Sequence, residues 1–242
     1  MNHIRKEICV VAAEGLNRSG KGTQLQLLHQ WLSENRIASV VIRGDGSRPG
    51  LGMGEGDPTN TWWQGFHDRL RGLSPTDQQH QWLIAARKIA SEFQYWKNEY
   101  LPAKMQASQS LQGVLLVDRS LISRISLAKE FRPLCRLGQL YADPGGEDST
   151  WRQLLPDRII SLEVSQTTLL SRLDQNDPKF GFRERLIRSC YTHHRQIVSS
   201  LPMVLRCITY PVDGDRPPER VAATIRSICL PMLHLDQLCP AV

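Results

Sequence analysis

The chain has no run of eighteen apolar residues, so no membrane-spanning helix is expected. It has no paired Cys-x-x-Cys spacing, which argues against the common zinc and dithiol redox sites. The six cysteines, Cys9, Cys135, Cys190, Cys207, Cys229 and Cys239, are therefore expected to be reduced and mostly buried. Internal repeats and low-complexity tracts are also missing. Met1 to Glu7 is polar and leads straight into an apolar run, leaving no room for a signal peptide, so a cytoplasmic location is expected. Lysine is scarce among the 30 basic residues, and arginine is the better two-pronged partner for phosphate. The net charge of +6 is spread along the chain rather than gathered in one basic run. Small anionic ligands fit that distribution better than a nucleic acid does.

What is present is enough for one sizeable core: 242 residues, 40% of them hydrophobic. Short apolar runs at Ile8–Ala13, Ser39–Ile42, Gly113–Val117, Arg158–Val164 and Val204–Thr209 alternate with helical patterns. Five such strands predict an α/β fold, a five-stranded parallel sheet with helices on both faces and ligands at the carboxyl ends of the strands. A single domain over 1–228 is expected, with 229–242 as a tail. The glycine-rich segment Arg43 to Asn60 predicts a long functional loop. Pro75-Thr-Asp77 predicts a helix start, with Trp82, Leu83, Ala86, Ile89 and Phe93 on its apolar face.

The strongest local signal follows the first strand. Glu14-Gly15-Leu-Asn17-Arg18-Ser19-Gly20-Lys21-Gly22-Thr23 joins a buried strand to a helix whose Leu25, Leu28 and Leu32 share one face. Gly15 and Gly20 free the backbone to turn its N–H groups inward. The helix opening near Lys21 adds a positive dipole end, and the Lys21 ammonium has the length to reach nucleotide β/γ-phosphates. The pattern predicts a P-loop. Its hydroxyl for Mg²⁺ comes one place late, at Thr23, in a Gly-Lys-Gly-Thr ending that resembles adenylate-kinase-like enzymes. Farther on, Val114-Leu-Leu-Val-Asp118-Arg119 delivers a carboxylate and a guanidinium at a strand end. Asp118 is a candidate Mg²⁺ partner, directly or through water, and Arg119 a candidate phosphate clamp.

In order and spacing, several segments together resemble the thymidylate kinase family: Glu14 to Gln24, Pro75-Thr-Asp with Trp82-Leu-Ile-Ala-Ala-Arg87, Val117-Asp118-Arg119-Ser120 with Ser123, Pro156-Asp157-Arg158 to Val164, and Val212-Asp213-Gly214 with Glu219-Arg-Val221. Arginine at position 18 resembles the subgroup whose catalytic arginine lies inside the loop. The resemblance implies transfer of the ATP γ-phosphoryl group to a nucleoside 5′-monophosphate, by positioning and charge stabilisation, in a homodimeric P-loop kinase. Lys21, Arg18 and Asp118 would be catalytic, and Gly15, Asn17, Ser19, Gly20, Lys21, Gly22, Thr23, Asp213 and Gly214 would contact ATP. Thr23 and Asp118 would hold Mg²⁺. Arg87 would read the acceptor base edge, Arg119 would grip its phosphate, and Arg43 or Arg48 would be a second clamp, with Ser123 and Leu83 beside them.

The departures from the family pattern concern the acceptor. Asn17 replaces an aspartate that receives the sugar 3′-hydroxyl, and Leu83 stands where an aromatic ring stacks on thymine. Losing one base stack is worth about 1–3 kcal/mol. Ser120 and Leu127 also replace aromatic residues. The expected acceptor is therefore thymidylate or a related or modified deoxynucleotide. The alternatives are a kinase acting on a modified nucleoside, a base within DNA or another small molecule, and a regulatory nucleotide-binding protein without kinase activity. A short lid is expected over about 174–185, with Lys179, Arg183 and Arg185 as its cations.

Overall fold

The structure, a computed structural model, describes residues 7–43, 93–119, 155–178, 180–201 and 203–233. Five strands form one all-parallel sheet: β1 (Glu7–Glu14), β2 (Ala38–Arg43), β3 (Gln112–Asp118), β4 (Arg158–Glu163) and β5 (Thr209–Asp213), in the order β2-β3-β1-β4-β5. The expected α/β fold is present. β1 pairs with β3 from Glu7↔Gln112 to Ala13↔Asp118, and with β4 from Val11↔Arg158 to Glu14↔Ser161. Just before that second ladder, the Asp157 carboxylate accepts the Val10 N–H at 2.7 Å and satisfies a backbone donor that no strand pairing reaches.

Helices cover both faces because the strands are apolar on both. On one face, Val11, Ala13, Val41, Val114, Leu116, Ile160 and Val212 pack against α1 (Lys21–Glu34), through Leu25, Leu28 and Leu32, and against Val221, Ile225 and Cys229 of a C-terminal helix, Pro218–Cys229. Each such fully buried aliphatic side chain contributes about 1.5–3 kcal/mol of transfer free energy. On the other face, Val10, Ala12, Val40, Ile42, Leu115, Val117 and Ile159 meet Phe93 and α2 (Leu101–Ala107), with Leu101 and Met105 fully buried. Three further helices lie between β4 and β5: α3 (Gln166–Ser171), α4 (Phe180–Ser199) and α5 (Met203–Arg206). The helix Pro218–Cys229 is then α6. α3 is capped by Ser165, whose hydroxyl accepts the Thr168 N–H at 3.2 Å.

Upstream of α2 the helix widens into a π turn, Trp96–Tyr100, in which the Leu101 N–H reaches back five residues to the Trp96 carbonyl. The cause is Pro102, which has no N–H to donate and whose ring crowds the carbonyl four residues earlier.

The last strand departs from expectation. The apolar run Val204–Thr209 predicts a strand, but its first part is α5, and β5 begins only at Thr209. A helical turn directs Leu205 into the core, and the Thr209 hydroxyl donates to the Leu205 carbonyl at 2.7 Å to close that turn. Pro211 is tolerated in β5 because, among the described strands, β5 pairs with β4 alone. The Ile159 N–H donates to the Ile208 carbonyl at 2.7 Å, so the even-numbered residues of β5 face β4, and Pro211 turns its hydrogen-less nitrogen outward. Among the described cysteines Cys190 and Cys229 are buried, Cys9 is half-buried and Cys207 is exposed, and no disulfide joins any two of them. Among the described residues no helix is long and apolar enough to cross a membrane.

Candidate functional site

β1, at the centre of the sheet, delivers the glycine-rich loop to the carboxyl edge, where Glu14 is fully buried. Gly15 follows with φ near +140°, and a Cβ there would meet Ser19 Oγ at 2.7 Å and the Leu162 carbonyl at 3.0 Å. Only glycine meets both demands. Leu16 anchors the loop in a third apolar cluster with Val164, Leu169, Leu173, Ile187 and Cys190. The chain then turns through Arg18 (φ 69°) and Gly20 (φ 93°) into α1, with the Ser19 N–H donating to the Leu16 carbonyl at 3.2 Å.

Lys21 is buried at the start of α1. Its ammonium donates to the carbonyls of Gly15 at 2.7 Å and Leu16 at 2.8 Å, and to Ser19 Oγ at 3.3 Å. The cation is thus held beneath the loop, where it fixes the loop's curvature and gives it a positive floor. Gly22 and Thr23 lie exposed on the first turn of α1.

β3 brings the second part of the site. Asp118 is buried and stands in register with Ala13 of β1 and Arg43 of β2. Arg119 has φ 72°; its N–H donates to the Ala13 carbonyl at 3.1 Å and its guanidinium donates to the Asn17 side-chain carbonyl in a close hydrogen bond. Two residues 102 positions apart in sequence are joined by that contact. Asp118 and Thr23 are hard oxygen donors of the kind magnesium prefers, and an ion carried on a nucleotide needs only one or two such ligands from protein.

The third part comes from the β4–β5 side. Asp177 Oδ2 accepts from Arg18 at 3.4 Å and, more closely, from Arg183. The Arg172 guanidinium donates to the Arg18 carbonyl at 3.3 Å and to the Gly214 carbonyl at 2.9 Å. Gly214 itself donates to the Glu163 carbonyl at 2.8 Å, and a Cβ there would strike Val164 at 2.5 Å. Asp213 lies at the end of β5, paired with Arg216 at 3.0 Å. Desolvation pulls the Asp215 pKa up, but hydrogen bonds from Thr168 and Ser165 and the charge of Arg172 together outweigh it and hold the carboxyl below its usual value.

No protein-family model and no curated protein matches the chain. The likeness to thymidylate kinases therefore rests on its own motif residues. Of these the structure brings together Gly15 to Thr23, Asp118, Arg119, Asp213, Gly214 and Arg183 around the carboxyl edge of the sheet, with Arg185 exposed on α4. Arg43 is placed by its backbone at the end of β2. Arg48, Leu83, Arg87, Ser123 and Lys179 lie outside the described residues, as do the loop Arg43 to Asn60 beyond its first residue and the helix expected from Pro75 up to Phe93.

Asp177, Arg172 and His194 were not anticipated at the site. Arg172 lies two positions before the segment expected to form a lid, yet it ties the glycine-rich loop to the turn after β5. His194 is buried on α4, and burial, with the positive charges of Lys21, Arg119 and His193, pushes its pKa down to about 4. The signal for it was present: Ile187, Cys190, His194 and Ile197 form a 3–4 stripe on α4, so a histidine sits at a core position. Beside it, between α4 and the β4–β5 edge, lies an open cavity of about 710 Å³ lined in part by Leu16, Ser19, Val164, His194, Arg195 and Asp213.

Proposed function

We propose that the chain is an ATP-dependent nucleoside-monophosphate kinase of thymidylate-kinase type, with thymidylate or a related or modified deoxynucleotide as acceptor. The observation that carries this reading is the meeting, at one sheet edge, of the loop Gly15–Thr23 with Asp118 and Arg119 from the neighbouring strand. A glycine-bearing loop curled over a buried lysine suits a polyphosphate, and a carboxylate beside it suits a metal-bound one. In this reading Lys21 and Arg18 would neutralise the transferring phosphoryl group, and Thr23 and Asp118 would hold Mg²⁺, which would supply further charge neutralisation to the phosphates. Asp213 and Gly214 border the base of ATP. Arg119, with Arg43 or Arg48, grips the acceptor phosphate, Arg87 reads its base, and Leu83 and Ser123 shape its pocket. The same resemblance supports a homodimer.

One observation favours a changed acceptor. Asn17 offers its carbonyl oxygen to Arg119, and as a neutral amide it binds a sugar hydroxyl less strongly than a carboxylate does. A screen of ADP release across nucleoside monophosphates, nucleosides and DNA tests the proposal. Release dependent on a nucleoside monophosphate supports it. Release dependent only on a nucleoside or DNA moves the acceptor to another class, and acceptor-independent silence with intact ATP binding leaves a regulatory nucleotide binder.

A further inference from the structure

Arg18 has no glycine's freedom, yet it holds φ 69°, a backbone state that costs a non-glycine residue about 1 kcal/mol. Its guanidinium reaches the turn before α4, where Asp177 receives it at 3.4 Å. The same carboxylate oxygen receives Arg183. Asp177 is the more enclosed partner, with a side chain 18% exposed against 36% for Arg18 and 27% for Arg183. Each guanidinium meets the carboxylate through one nitrogen, so the paired donors that a phosphate group would occupy are not matched in this contact.

We propose that Asp177 is a specificity-determining residue that competes with the terminal phosphate of a nucleoside triphosphate for Arg18. This inference rests on the reading of Gly15–Thr23 as the ATP site with Arg18 serving the γ-phosphate. A triphosphate long enough to reach Arg18 has to take it from Asp177, whereas a diphosphate ends short of it and leaves the ion pair in place. Asp177 thus weakens ATP binding selectively and lets Arg18 leave its internal partner only when a γ-phosphate is present. Arg183 stays with the carboxylate, so the negative charge left behind is not stranded.

Asp177→Asn keeps the shape of the side chain and removes its charge. Equilibrium binding of ATP and ADP with magnesium, on the full chain, reads the effect. ATP affinity is expected to rise about threefold to tenfold and ADP affinity to change by less than about twofold. In an Arg18→Ala background Asp177→Asn should give no gain. Asp177→Ser repeats the measurement if thermal unfolding shows that asparagine disturbs the turn. Equal gains for ATP and ADP, no gain, a loss of ATP affinity, or a gain that persists without Arg18 each overturn the inference while leaving the kinase proposal intact. Wild-type protein that binds neither nucleotide overturns both.

Discussion

His194 carries a titration that stability measurements can read. Its pKa is pushed from 6.5 down to about 4, first by burial and then by Lys21, Arg119 and His193. Above pH 6.5 the ring is neutral in both folded and unfolded chains and the full stability is present. As pH falls from 6.5 toward 4 the unfolded chain takes up the proton first, so folding loses about 3 kcal/mol over that window. Urea unfolding of wild type and His194→Gln at a series of pH values checks it: the variant should show the shallower acid decline, and parallel curves refute the assignment. Lys21 has a structural duty in the loop and, in the proposed reading, a catalytic one. Lys21→Ala should lower phosphoryl transfer about 100-fold or more by removing charge stabilisation. Because the ammonium also bonds the Gly15 and Leu16 carbonyls in a buried setting, the same change should cost about 1–3 kcal/mol of stability, seen as a lower urea midpoint. The sequence marks the lysine as a candidate phosphate ligand. It did not reveal the structural duty, because that depends on the loop curling back over a side chain five and six positions later.

The glycine-rich loop and α1 behave as one element with unequal glycines. Gly15→Ala places a methyl group 2.7 Å from Ser19 Oγ at a φ reserved for glycine, and should destabilise by about 2–3 kcal/mol. Gly22 lies within the first turn of α1 and a Cβ there meets nothing within 4 Å, so Gly22→Ala should stabilise by up to about 1 kcal/mol. Thermal midpoints of the two variants should therefore move in opposite directions; a shared direction would contradict the loop geometry. Four strands were readable to within one or two residues at each end because both their faces are buried, so they stand out as unbroken apolar runs. The fifth was not, since Thr209–Asp213 is half-exposed and contains a proline, while the more apolar Val204-Leu205 belongs to a helical turn. Asp177 and Arg172 escaped for a related reason: a polar residue on a connection gains its partner only when β4, β5 and α4 are assembled.

At the scale of the whole molecule, protection from solvent should grade outward from β1, which has β3 on one side, β4 on the other and helices over both faces. Native-state hydrogen exchange is expected to find the slowest amides in β1 and β3 and faster ones in β5. Slower exchange in β5 than in β1 would contradict the strand order. The same order leaves β5 with an outer row of backbone groups that no described strand pairs. A row of that kind invites another chain to add a strand, which is how many sheets begin to aggregate. Pro211 interrupts it at its midpoint, since its outward nitrogen carries no hydrogen, and the Asp213 carboxylate adds charge at its end. The proline that obscured this strand in the sequence thereby acts as a gatekeeper against unwanted self-assembly, a benefit to solubility that is independent of any ligand.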